Sequence, residues 1–339
     1  LFKSTWGLWY HTVVGRRLDL ARERADALID LATRIGDSGY ALESIHCRWS
    51  TAMFRGEFAM ARDLADDGAT RYDRASHEWL GPVFGGHDPG VCAFCVASLA
   101  HLMAGRRSLA EERSLRGLAL AEALRHPLSL AHAVMNRSVC LQQTGDLRAT
   151  ADLTRRLLEL ADKYTLPPFR AHALIVGSWS RVIAGDIDGG LAAMESEYPR
   201  ATAVGPMFRY YAMLLVDARL RASRAAEALA LARASLETVS EPGVGMFVPE
   251  LHRLAAAAAA AAGDADACTQ ALRDAHDIAR QQGSTLHALR AAIALAQASS
   301  ATARDDGRAR LHALLDGQDA GFDVDERLTA ERILAAALA

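Results

Sequence analysis

Residues 126–186 read HPLSLAHAVMNRSVCLQQTGDLRATADLTRRLLELADKYTLPPFRAHALIVGSWSRVIAGD, and two kinds of break alternate in them. His126-Pro127 and Pro167-Pro168 each open a helical run, while Gly145 and Gly185, both followed by aspartate, separate one helix from the next. Proline suits a first helical position because its missing N–H would have no partner there. Glycine suits the close because it accepts left-handed backbone. The segment therefore reads as one whole helical hairpin followed by the first helix and turn of another.

Working outward, the hairpin turn recurs at Gly15, Gly56, Gly105, Gly145, Gly185, Ser223, Gly263 and Asp306, at intervals of 41, 49, 40, 40, 38, 40 and 43 residues. The second kind of break falls between them, at Gly36-Asp37, the Gly81 to Gly90 segment, His126-Pro127, Pro167-Pro168, Gly205-Pro206, Pro242-Gly243 and Gly283-Ser284. Helix-turn-helix units at a fixed period predict an all-α, TPR-like helical-hairpin solenoid of about eight hairpins, each of about 40 residues. The first helices are expected over 2–14, 40–54, 90–104, 128–144, 168–184, 206–222, 246–262 and 285–301. A closing helix from Val324 to Leu338 caps the open end, so that 1–339 forms one superhelical domain. The alanine run Ala255 to Ala262 is a helix thin enough for close approach by its neighbours.

Composition fits that reading. With 51% hydrophobic and 23% charged residues, the 339-residue chain is too apolar to be disordered. Its 38 basic and 41 acidic residues are mixed along the chain, so no basic field points to direct contact with nucleic acid. Five cysteines, an odd number spread over a long chain, argue against a secreted disulfide framework and for a reducing cytoplasm. No charge-free run of about 18 apolar residues exists, so no membrane contact is expected. The chain starts at Leu1, already in a helical pattern, which predicts a piece of a larger multidomain protein.

The interval of 49 stands out, and its excess lies in Gly81-Pro82-Val83-Phe84-Gly85-Gly86-His87-Asp88-Pro89-Gly90-Val91-Cys92. Asp88 is placed to cap a helix whose first residue is Pro89. Exposed amides there suit an anion, and His87 beside Asp88 suits titration near neutrality or donation to a ligand. The plainer alternative leaves Asp88 as a cap only, with His87 bonded to a neighbouring carbonyl. Cys92 and Cys95 form a C-x-x-C, with His87 upstream and His46-Cys47 on the preceding repeat. Four ligands do not converge by spacing, so the two thiols read as buried core and no metal is assigned.

First helices of such hairpins line the concave face of the superhelix. Trp9, Arg48, His132, Asn136, Trp179, Arg209, Tyr210, Glu250 and Arg253 are thereby candidates, with His87, Asp88 and Cys92, for contact with a ligand or partner. No phosphate-binding G-x-x-x-x-G-K-[ST], H-E-x-x-H or G-x-S-x-G occurs, so neither catalytic residues nor a cofactor are assigned.

Several strings, in this order, resemble a known family. They are Trp6-Gly7-Leu8-Trp9, Gly56-Glu57-Phe58, the Gly85 to Cys92 string, His126-Pro127-Leu128-Ser129-Leu130-Ala131, Glu250-Leu251-His252-Arg253-Leu254 and Gly321-Phe322-Asp323. Nearly end to end, the chain resembles the C-terminal TPR-like region of bacterial signalling proteins that join a class III adenylate/guanylate cyclase domain, or a related effector, to an AAA/STAND-type ATPase. The resemblance implies a non-catalytic sensor or scaffold that binds a protein or small ligand and regulates the attached ATPase and output domains. Two other readings remain: the sensor half of a LuxR-type transcriptional regulator, or an enzyme with a small site at His87, Asp88 and Cys92, since cysteine and histidine can form a nucleophile pair.

Overall fold

The computed structural model describes residues 1–84, 86–203, 205–237, 244–317 and 322–337. Gly85, Pro242-Gly243, Gly321 and Leu338, named above, lie outside the described residues. Among the described residues every regular element is a helix, and the helices pair as hairpins.

The first two hairpins are α1 (Phe2–Val14) with α2 (Leu18–Ile35), and α3 (Ser38–Arg55) with α4 (Phe58–Arg71). Two short helices follow, α5 (Arg74–His77) and α6 (Leu80–Phe84). Then come α7 (Pro89–Met103) with α8 (Arg107–Leu124), α9 (Pro127–Gln143) with α10 (Leu147–Tyr164), and α11 (Pro167–Ile183) with α12 (Ile187–Ala201). The last hairpins are α13 (Phe208–Arg221) with α14 (Ala225–Glu237), α15 (Val248–Ala261) with α16 (Ala265–Gln282), and α17 (Thr285–Ala296) with α18 (Ala301–Leu315), closed by α19 (Asp325–Ala336). The all-α hairpin array is as the period predicts, and the alanine run lies in α15 with Ala255, Ala256, Ala258 and Ala259 buried on one face.

One turn differs from expectation. Asp306 lies inside α18, and the eighth turn is Gln297 to Ser300, some residues earlier. Asp306 reads as the turn because aspartate favours turns, but it and the following Gly307 each have a tertiary role. Asp306 pairs with Arg273 at 2.7 Å and Arg310 at 2.8 Å. Gly307 sits so close to α17 that a Cβ there would lie 2.2 Å from the Ala296 nitrogen.

The array also closes on itself. The first two hairpin turns meet the breaks on either side of the sixth hairpin, and the third meets the segment between the last hairpin and α19. At the first turn, the Arg16 Nε donates to the Gly205 carbonyl at 3.0 Å and the Gly205 amide donates to the Val14 carbonyl at 3.0 Å. At the second, the Gly245 amide donates to the Arg55 carbonyl at 2.9 Å. At the third, the Asp323 amide donates to the Gly105 carbonyl at 2.9 Å, and a Cβ on Gly105, whose φ is +80°, would be 2.7 Å from the Phe322 Cβ. The left-handed backbone and the close approach both require glycine there.

Closure decides where the core is. α7 is buried along its whole length, between α3, α4, α8, α9 and α17, which suits a helix apolar all round. One core cluster runs from Phe2 to Leu334, so side chains fill much of the superhelix axis. No single helix among the described residues is long and apolar enough to cross a membrane.

Candidate functional site

The nine-residue excess builds a junction. Asp73 caps α5 through the Ser76 amide, α6 continues, and the chain turns through Gly86 and His87 to Asp88. Asp88 Oδ1 accepts from the Val91 amide at 3.0 Å and Oδ2 from the Tyr72 hydroxyl at 2.9 Å, while its own amide donates to Ser129 Oγ at 2.8 Å. Asp88 is thus a buried cap with its acceptors occupied by the protein. The anion reading has no support in that arrangement.

Fixing Asp88 fixes His87. The His87 ring stacks on that of His132, centroids 3.6 Å apart and planes 10° from parallel, and stands 5.2 Å from the His46 ring at 63°. Among the described residues it has no hydrogen bond to a neighbouring carbonyl, and its Nε2 is sealed from solvent without a partner. On α3, Glu43, His46 and Ser50 share one helix face by their spacing. His46 Nδ1 lies 3.0 Å from Glu43 Oε1, which also accepts from Trp6 Nε1 at 2.7 Å. Cys92, one turn into α7, has its Sγ 3.4 Å from the donating Trp49 Nε1 and 3.9 Å from Ser50 Oγ. Ligand-type atoms of His46, His87 and Cys92 all lie within 4.8 Å of one another.

The electrostatics follow from burial and mutual contact. Burial alone would lower His46, but Glu43 and then Cys92 reverse this and hold its pKa well above the usual imidazole range. Burial would raise the Cys92 thiol, yet His46 and His132 bring it well below its usual value. Burial, then repulsion from His46 and His126, drives His87 well down. Burial also takes His132 down to about 4, with His87 adding to it. The expected titration of His87 near neutrality is therefore overturned, because its environment disfavours the cation.

The C-x-x-C is not a unit. Cys95 packs with Val91, Ala121 and Ala133 in a separate cluster, and burial raises its pKa well above the usual value. Cys92 instead joins histidines from other repeats. The sequence held a signal for part of this: Cys92, His132, His172 and Tyr210 each stand 13 residues before their hairpin turns at Gly105, Gly145, Gly185 and Ser223. Trp9 is 6.3 Å from His46, and beyond His132 the line resumes with His172 to Tyr210 at 5.9 Å, Tyr210 to Phe247 at 5.1 Å and Phe247 to His287 at 6.1 Å. Superimposing the repeats at their period therefore places Cys92 with His132, but not with His46 or His87, which stand 10 and 18 residues before their turns at Gly56 and Gly105.

The remaining candidates separate by place. Trp9 is buried at the edge of the cluster, its indole donating to Thr51 Oγ1 at 2.9 Å, and Asn136 lies 3.3 Å from His132 Nε2. Arg48 faces the opposite way, to Asp26 on α2 at 3.1 Å. Arg209 and Tyr210 are core rather than groove residues. Arg209 Nε and Nη1 donate to the carbonyls of Ser235 and Val244, and Tyr210 is fully buried. The groove expectation fails for these two because the closing repeats cover the inner face.

Trp179, Glu250 and Arg253 do line a cavity, of about 300 Å³, where α9, α11, α13, α15, α17 and α19 converge. Trp179 Nε1 donates to Asp217 at 2.8 Å, Glu250 pairs with Arg253 at 2.6 Å, and Arg290 pairs with Glu326 at 2.7 Å. Burial would raise Glu250, but Arg253 and Arg290 bring it down to about 2.

No family model matches the chain. It is similar to an uncharacterized protein of Rhizobium meliloti (strain 1021), 23% identical over 287 residues. That match covers 84% of this chain and 28% of the relative, so the chain spans under a third of the relative's length.

Proposed function

We propose that the chain is a sensor or scaffold segment, without catalysis of its own, that binds a protein or small ligand and regulates an attached ATPase/cyclase-type signalling protein. The observation that carries this reading is the polar cavity at the closure. Its walls come from Trp179 and Asp217 in the middle of the array, Glu250 and Arg290 in the last repeats, and Glu326 on the capping helix. A ligand bound there would touch both the repeats and the element that closes them, and would bias the closure by its differential contacts. The similarity to a much longer relative supports a segment working within a larger chain.

The test uses the full-length protein that carries this segment. ATP hydrolysis and cyclase output are measured for the parent chain and for Trp179→Ala and Arg290→Ala, with helicity checked by circular dichroism. Altered output with helicity retained is the expected result. A parent frame encoding neither a nucleotide-hydrolysing nor an output domain, or output indifferent to both substitutions, overturns the proposal. A DNA-binding domain as the output would move the assignment to the LuxR-type class.

A further inference from the structure

We propose that His46, His87 and Cys92 are the protein ligands of a transition-metal site, for an ion of borderline softness such as zinc(II), at the junction built by the insert between the second and third hairpins. The inference does not depend on the regulatory reading, because it rests on a different place and on local chemistry.

Three observations carry it. The first is distance: the ligand atoms lie within 4.8 Å of one another, while a tetrahedral zinc with Zn–N of about 2.0 Å and Zn–S of about 2.3 Å holds its ligands roughly 3.3–3.8 Å apart. Small side-chain rotations close that difference. The second is an orphan: His87 Nε2 is buried without a partner, and a buried imidazole nitrogen left unbonded is costly unless something fills the position. The stack on His132 holds the ring there.

The third is the outer shell. His46 uses Nδ1 toward Glu43 Oε1, which leaves Nε2 for the cluster. A carboxylate behind a ligating imidazole fixes its tautomer and raises its basicity. Glu43 is 2% exposed, and its side-chain contacts are to Trp6 and His46. Glu43 stands behind His46 on one side, and the Cys92 sulfur stands on the cluster side within 4.8 Å of the ligand-type nitrogens of His46 and His87. One nitrogen from each of two imidazoles with one thiolate is a ligand set that selects zinc or copper over calcium or magnesium. Trp49 Nε1, donating to Cys92 Sγ, stabilises the thiolate as a further outer-shell contact.

The experiment is metal analysis of the intact chain purified without chelating resin, followed by titration of the demetallated protein with zinc(II) and with cobalt(II). Expected are stoichiometric binding and a thiolate-to-cobalt charge-transfer absorption. Both should be lost in Cys92→Ser and His87→Ala and retained in Cys95→Ser. Glu43→Gln should keep the absorption but weaken zinc binding by about 10–100-fold, the usual outer-shell effect. Circular dichroism confirms that each variant is folded, and protection of Cys92 from alkylation by zinc in the unmutated chain gives a readout free of substitutions. Wild-type protein that binds zinc no better than Cys92→Ser, or cobalt without the charge-transfer band, overturns the proposal.

Discussion

The imidazole of His87 lies flat on that of His132, centroids 3.6 Å apart, although the two belong to different repeats and neither ring carries an ordinary hydrogen bond to the other. The contact exists because Asp88, immediately after His87, bonds its amide to Ser129 Oγ at the start of α9. The insert is thereby fastened to two consecutive hairpins rather than standing off them.

Asp88→Ala removes the cap of α7 and leaves the Tyr72 hydroxyl without its acceptor. The expected cost is about 1–3 kcal/mol, combining a lost cap with an orphaned donor. Asp88→Asn, which keeps an acceptor oxygen, should recover most of it. Urea unfolding of the three proteins measures this, and a shift within error for the alanine variant would show that Asp88 is not the fastening point.

Gly307→Ala should destabilise the eighth hairpin by about 1–3 kcal/mol or more, because the new methyl meets backbone that can yield only if α17 and α18 separate. Gly7→Ala is the matching control. Its Cβ meets nothing within 4 Å on α1, so removing a mid-helix glycine should stabilise by about 0.5–1 kcal/mol. Thermal melts of the two variants should move in opposite directions.

Asp323 accepts from the Ser108 amide at 2.9 Å and from the Arg107 amide, and so caps α8 from the far end of the chain. Asp323→Ala should cost about 0.5–2 kcal/mol and release α19 preferentially. Hydrogen exchange distinguishes the two effects: protection should fall in Asp325–Ala336 and in the first turn of α8, while α11 keeps its protection. Uniform loss across the array would contradict the local attachment.

Glu250 supplies a pH dependence whose sign can be worked out. Its pKa is 4.5 in its ordinary state and about 2 in the folded chain, lowered by Arg253 and Arg290 against the opposing effect of burial. A depressed folded value stabilises the folded chain above pH 4.5 and loses that stabilisation as the pH falls toward 2. The magnitude is about 3 kcal/mol at most. Glu250→Gln should flatten the stability profile between those two values, read from urea midpoints at stepped pH. An unchanged slope would remove Glu250 from the acid response.

How much was legible in the sequence depends on the range of the interaction. Gly56, Gly145 and Gly263 adopt positive φ at helix ends, and Pro127 and Pro167 stand at helix starts. These are local preferences, decided within a few residues, so the period, the hairpins and most helix limits could be read directly. Asp88 as a cap before Pro89 was legible for the same reason.

Asp306 and Gly307 show the limit: a glycine needed for a turn and one needed for close packing look alike until the neighbouring helix is placed. The same holds for the cluster. Sequence alone determined an all-α hairpin array with an informative excess before Cys92. Only the tertiary structure decided that Cys92 faces His46 and His87 rather than Cys95, and that Arg209 and Tyr210 lie inside. The reason is that burial and convergence depend on how the superhelix closes, through contacts such as Arg55 to Gly245 and Gly105 to Asp323. Those contacts join residues far apart in the chain, and nothing in the local pattern of either partner announces the other.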